Sequence, residues 1–296
     1  MQLLAYILIY PFFWLVSILP FKLLYAFSDF IYLFIYRIFG YRKKVVLENL
    51  RLVFPEKSSE EINTITKKFY HHLCDMVVES MKSMTISESQ MKKRYAFTNV
   101  EVLKELEKQN RDVIIMCGHY ASWEWIFILQ TYVSHKGFAV YKQLNNKYFD
   151  RLIKRIRARY NSHLITTKET IQTLKDVKAS GELSITGFVA DQSPKLDKAY
   201  HWNSFMGITV PIHTGAEMLA KELDMAVVFF DVRKVGRGYY QTTFKTIAEH
   251  PNEFKNYEIT DVFKSFVEQQ IKEQPEYYLW THKRWKHRNN VPTEFL

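Results

Sequence analysis

The chain has 296 residues, a formal net charge of +10, 47% hydrophobic and 16% aromatic residues, and few glycines (9) or prolines (8). This balance excludes collagen-like, low-complexity and wholly disordered classes, and two cysteines, Cys74 and Cys117, exclude a disulfide framework. A basic, aromatic-rich protein leaves three partner classes: nucleic acid, an anionic membrane, or an acidic carrier or substrate.

Residues 1–40 hold 13 of the 47 aromatics but only three charged side chains, Lys22, Asp29 and Arg37. The uncharged run over 1–21 is close to the ~20 residues that span a bilayer as a helix. It is interrupted by Pro11 and bounded by Pro20, and a second apolar stretch ends at the basic cluster Arg42, Lys43, Lys44. No basic segment precedes the apolar run and no small-residue cleavage site follows it, so it reads as a retained anchor, spanning or interfacial. The basic cluster puts the following residues on the cytoplasmic side. We therefore divide the chain into a hydrophobic helical anchor over 1–40 and one domain over 41–296.

Ser58 and Glu61 form a capping-box pattern that opens a helix running to about residue 82. The apolar run over 113–117 predicts a short buried strand, followed by a helix over 121–135. A strand over 137–141, a strongly basic helix over 148–160, a helix over 170–178 closed by Gly181, and an apolar strand over 183–190 come next. Pro211 suits the first position of a helix over 211–223. Strands over 225–232 and 239–244 flank a Val-Gly-Arg-Gly hairpin signal. A helix over 259–274 ends at Pro275. Strands alternating with helices, plus one antiparallel hairpin, predict an α/β fold with a mixed, mostly parallel sheet flanked by helices.

The chemistry centres on the segment from Gly118 to Trp125. On a continuous helix His119 and Glu124 would be rotated apart by about 140°. With His119 in the strand-to-helix turn, Glu124 lies in the first helical turn and can reach back to the imidazole. Spacing alone more often describes a core histidine bonded to a backbone carbonyl beside a first-turn helix acid. As a functional pair, however, a base oriented by a carboxylate activates a hydroxyl. No Gly-x-Ser-x-Gly nucleophile elbow accompanies it, so that hydroxyl belongs to a substrate, as in direct acyl transfer to an alcohol. His71, His72 and Cys74 have no second ligand pair at zinc spacing, and no metal site is expected.

The His-x4-Glu motif after a buried strand resembles the signature of glycerolipid-type acyltransferases. The longer pattern resembles the lipid A late acyltransferases, the lauroyl and myristoyl transferases of lipopolysaccharide synthesis. The similar blocks are Asn49-Leu50 with Phe54-Pro55-Glu56; Tyr141-Lys142 with Asn146, Asp150 and Arg157; Ala190-Asp191-Gln192; Phe205, Gly207 and Gly215; and residues 275–280 with Arg284-Trp285-Lys286. Together they cover roughly residues 1–290. Two positions depart from the commoner pattern: Lys142 stands where Arg is usual, and Lys147 where Pro is frequent.

The resemblance implies that His119 takes the acceptor proton and that Glu124 holds its tautomer. Asp191 orients His119 or binds the acceptor sugar. Lys142, Asn146, Arg157 and Gln192 bind substrate, with phosphate on acceptor or donor as the ligand of the two cations. It also implies an acyl carrier protein or coenzyme A thioester as co-substrate with no cofactor, a glycolipid acceptor such as a lipid A precursor, and the bacterial inner membrane as the site of action. A lysophospholipid, an amino-acid lipid or a mannosylated inositol lipid are alternative acceptors. Arg151, Lys154, Arg155 and Arg159 suit a solvated face, an acidic carrier or anionic headgroups. The competing class is a non-catalytic basic membrane-surface module. The +9 carried by residues 41–296 favours phosphate-bearing lipid and an acidic carrier over nucleic acid.

Overall fold

A computed structural model describes residues 1–295. The uncharged N-terminal run becomes α1 (Gln2–Ile18), which ends before Pro20, and α2 (Phe21–Tyr32), which continues as a π-helical segment over Leu33–Ile38. Among the described residues no single helix is long and apolar enough to cross a membrane. Among the described residues one bent pair, Phe21–Ile38 with α3 (Lys43–Val53) at 83°, has that length and composition.

α4 (Ser59–Lys82) begins as expected: Glu61 N–H donates to Ser58 Oγ (3.2 Å) and Ser58 N–H to Glu61 Oε2 (2.8 Å). It also holds the N-terminal hairpin in place. Lys82 Nζ donates to the carbonyls of Ser17 (2.7 Å) and Leu19 (2.8 Å), supplying a cation and donors to the unsatisfied end of α1. The other face of α1 and α2 is left uncovered, with Leu4, Leu8, Leu15, Leu23 and Phe30 each more than half exposed.

The body follows as α5 (Glu88–Arg94), β1 (Tyr95–Phe97), α6 (Glu101–Lys108), β2 (Val113–Cys117), β3 (Lys136–Tyr141), α7 (Lys147–Arg157), β4 (Ser162–Thr166), α8 (Thr170–Ala179) and β5 (Ser184–Val189). Then come the hairpin β6 (His201–Phe205) and β7 (Ile208–Ile212), α9 (Gly215–Leu223), β8 (Ala226–Gly236), β9 (Tyr239–Ala248) and α10 (Glu258–Glu273). One seven-stranded sheet runs β1-β9-β8-β2-β5-β3-β4. All its neighbours pair in parallel except β8 with β9, so the sheet is mixed and mostly parallel, as the alternating pattern predicts. β2 is buried at every position, which its unbroken apolar run requires of a central parallel strand.

Three expectations change. The helix over 121–135 is instead a 3-10 segment over Glu124–Thr131, preceded by Ala121 in the left-handed region (φ 47°). Pro211 does not open a helix. It lies in β7 opposite Trp202, where a two-stranded ribbon tolerates its missing N–H, and α9 starts at Gly215. The basic helix ends at Arg157, with a 3-10 turn over Ala158–Tyr160.

α7 stands between the N-terminal hairpin and the sheet. Phe149 meets Tyr6 edge-on at 5.3 Å and Tyr148 meets it at 5.7 Å.

Candidate active site

β2 and β5 are parallel neighbours in which Cys117 faces Val189. His119 and Asp191 each stand two residues beyond that pair, so adjacent strand ends deliver them to the same place. This is the carboxyl edge of a parallel sheet, where α/β folds gather ligand sites. Asp191 Oδ1 lies 2.6 Å from His119 Nδ1. Since a carboxylate only accepts, Nδ1 carries the proton and Nε2 keeps its lone pair. The Asp191 side chain is 2% exposed and that of His119 19%. Burial works against the Asp191 charge, but attraction to the imidazolium that His119 becomes at low pH, and hydrogen bonds from imidazole and backbone, outweigh it, and its pKa falls below the ordinary value. Gly118 leaves room behind the pair: a Cβ there would crowd the Val267 side chain at 3.3 Å and reach ordinary contact with the Asp191 carboxyl carbon at 3.6 Å.

The turn carrying His119 is pinned from behind by the C-terminal segment. Leu279 N–H donates to the His119 carbonyl (3.1 Å), and Ala121 N–H to the Tyr277 carbonyl (2.9 Å). Asn49 on α3 donates in turn to the carbonyls of Trp280 (2.8 Å) and His282 (2.9 Å). The Trp123 ring meets the imidazole edge-on at 5.1 Å.

Glu124 does not reach back to His119. The left-handed turn at Ala121 delays the helix until Glu124, whose carboxylate is held by Arg157 of α7 through contacts of 2.6, 2.7 and 3.2 Å. A guanidinium fork engaging both carboxylate oxygens fixes Glu124 far more firmly than one imidazole N–H would. Asp191 takes the position that sequence spacing assigns to Glu124.

His119 opens on a cleft of about 730 Å³, a size usual for small-ligand sites. Its walls include Ile126, Phe127, Val140, Phe188, Val189 and Leu219, an apolar lining with Glu124, Lys142, Arg157 and Gln192 as polar points. A half-buried histidine facing an apolar cleft suits transfer of a fatty chain, and comparison with known proteins decides between the possibilities. Residues 2–287 match the family model described as bacterial lipid A biosynthesis acyltransferase. The chain belongs to the bacterial lipid A biosynthesis acyltransferase family. It is an acyltransferase.

The chain is 24% identical over 290 residues to the lipid A biosynthesis lauroyltransferase of Escherichia coli (strain K12), covering 95% of this chain and 92% of that one. It is 24% identical over 248 residues to the lipid A biosynthesis palmitoleoyltransferase of the same organism, with 83% and 79% coverage. A lipid A biosynthesis acyltransferase of Haemophilus influenzae is 23% identical over 258 residues, covering 86% and 81%.

Four of the expected residues join His119 of this acyltransferase on the cleft, with Asp191 buried behind it: Glu124, Lys142, Arg157 and Gln192. Lys142 is exposed and has no acidic partner among the described residues, whereas Arg157 is committed to Glu124. Asn146 is a different case. Its carboxamide oxygen caps α7 by accepting from Tyr148 and Phe149 N–H, and its Nδ2 donates to the Gln2 carbonyl. A helix cap explains asparagine there, and the residue does not line the cleft.

Several site residues lie outside the expected set. His213 lines the cleft, its pKa lowered by burial and by the Arg284 charge. Arg284 is 2% exposed, stacks 4.8 Å over Phe205, and leaves Nε and Nη1 without partners among the described residues. Burial, then the Asp191 charge, pushes the Tyr278 hydroxyl well up. Residues 275–285 carry a signal only through the family pattern, because nothing in their spacing says that they back onto His119.

Proposed function

We propose that this chain transfers a fatty acyl group from an acyl thioester to a hydroxyl of a glycolipid such as a lipid A precursor. The donor is acyl carrier protein or coenzyme A, no cofactor takes part, and His119 is the general base. The observation that carries the reading is the 2.6 Å His119–Asp191 contact, which puts the proton of the neutral imidazole on Nδ1 and its lone pair on Nε2 at an apolar cleft. The family relationship supplies lipid A as the acceptor class.

The acceptor hydroxyl donates to His119 Nε2. As its oxygen bonds to the thioester carbon, the proton passes to Nε2 and the carbonyl π pair moves onto oxygen. Asp191 stabilises the imidazolium through Nδ1–H. Collapse of the tetrahedral species restores the carbonyl, breaks the C–S bond, and returns the proton from Nε2 to the leaving thiolate. The products are an ester and a free thiol, with the enzyme unchanged. Lys142 supplies a free cation beside the cleft for a phosphate on either substrate.

The site of action is the cytoplasmic face of the bacterial inner membrane. What supports this is the exposed apolar face of α1 and α2, with Leu4, Leu8, Leu15 and Leu23 uncovered, and the basic cluster that follows it at Arg42, Lys43 and Lys44. α7 packs on that hairpin through Phe149 and on the cleft through Arg157, so a lipid in the leaflet lies next to the site.

Mass spectrometry of total lipids from cells with and without the gene tests the acceptor class. A glycolipid lacking one acyl chain in the deletion is expected. An unchanged glycolipid profile with altered phospholipids would replace lipid A with a lysophospholipid acceptor.

A further inference from the structure

Gln192 occupies the one imidazole nitrogen that the mechanism needs. Its Nε2 lies 3.2 Å from His119 Nε2, on the ring edge opposite Asp191. With Nδ1–H donated to Asp191, the neutral imidazole offers a lone pair at Nε2. Only the amide NH₂ can pair with that lone pair, which fixes the orientation of the carboxamide.

The amide therefore stands where the acceptor hydroxyl must bind. Among the described residues the Gln192 side chain makes no other hydrogen bond, whereas the next residue is fastened by Ser193 Oγ donating to the Arg284 carbonyl (3.2 Å). The backbone is held and the side chain is tethered only to the atom it has to leave. Releasing one such hydrogen bond costs about 1 kcal/mol.

We propose that Gln192 is a catalytic donor: the arriving hydroxyl displaces its amide from His119, and the freed N–H stabilises the oxyanion. This rests on His119 being the base. Once the hydroxyl oxygen sits on Nε2, the carbonyl it attacks is about 3 Å away, so the carbonyl oxygen comes within reach of an amide displaced by one hydrogen-bond length. As the oxygen–carbon bond forms, the proton goes to Nε2, the π pair goes to the carbonyl oxygen, and Gln192 Nε2–H donates to that oxygen. Collapse expels the thiolate, which takes the proton from Nε2. Gln192 neither gains nor loses a proton, and it returns to the imidazole when the ester leaves. In the resting enzyme the same contact keeps water off the base.

The test uses full-length protein with lauroyl and palmitoleoyl thioesters of acyl carrier protein and a lipid A precursor. Gln192→Glu keeps the shape but removes the N–H donors, and Gln192→Leu removes them without adding a charge. Each is expected to lower kcat by about 10²–10³-fold, as loss of one oxyanion donor does, with both KM values close to wild type. If one variant folds poorly, as judged by its melting temperature, the other decides.

Wild-type kcat in either folded variant would overturn the proposal. So would a rise in acceptor KM at unchanged kcat, which is the signature of a binding contact only. His119→Ala separates the two claims. If that variant retains activity, the base assignment fails whatever Gln192 does. If it is inactive while Gln192→Glu and Gln192→Leu are normal, only the role of Gln192 fails.

Discussion

Asp191 Oδ1 contacts His119 Nδ1 at 2.6 Å although 72 residues separate them, because the two strands that precede them pair in register. Burial alone would raise the Asp191 pKa, but attraction to the protonated His119 and then hydrogen bonds hold it below its ordinary value of 3.8. A carboxyl depressed in the fold adds stability above its unfolded pKa and loses it as pH falls through the folded value. Asp191→Asn should therefore be less stable than wild type near neutral pH, and the gap in melting temperature should narrow as pH falls below about 4. Parallel melting curves across that range would show that the contact does not contribute.

Glu124 and Arg157 act as one unit. Their side chains are 30% and 20% exposed, and the pair shares three close contacts. Glu124→Gln and Arg157→Gln are each expected to lower kcat/KM, and the double variant to be little worse than either single one. Contacting pairs of this kind show coupling of about 0.5–3 kcal/mol. If the two losses multiply, Glu124 acts independently of Arg157 and the ion pair is incidental.

Asn49 supports the site from α3, far from the chemistry. It is 7% exposed, and its amide satisfies the carbonyls of Trp280 and His282 in the segment that pins the His119 turn. Asn49→Ala leaves both carbonyls without that donor and should cost about 1–3 kcal/mol of stability. Chemical denaturation measures this, and a stability within experimental error of wild type would show that the two bonds contribute nothing net.

The central strand β2 was legible because a parallel strand buried on both faces must be apolar throughout, and the start of α4 because capping-box side chains are local. β1 and β4 leave little sequence trace: they are short and are fixed by their neighbours across the sheet. The His119 position was legible as the end of a buried strand. Its partner was not, because that depends on strand register and on the left-handed turn at Ala121, neither of which five-residue spacing reports. Asn146 reads as a ligand in the family pattern, but the physical reason for asparagine is the helix it caps.

The N-terminal hairpin provides the membrane test. Leu4, Leu8 and Leu15 are 61%, 68% and 56% exposed, so replacing them with Ser should not disturb the packing. Each leucine buried in lipid contributes roughly 1.5–3 kcal/mol, so the triple variant should lose most of its binding to anionic phospholipid vesicles in a flotation assay. Undiminished binding would move the membrane contact elsewhere on the chain.

The central claim is that His119, oriented by Asp191, drives acyl transfer to a glycolipid hydroxyl. The most direct measurement is acyl transfer by purified wild type and His119→Ala from acyl carrier protein thioesters to a lipid A precursor, read by product mass. Wild type should add one acyl chain, and the variant should bind vesicles equally well while losing at least about 10²-fold in rate. Full transfer by His119→Ala, or no acylated glycolipid from wild type, would contradict the account.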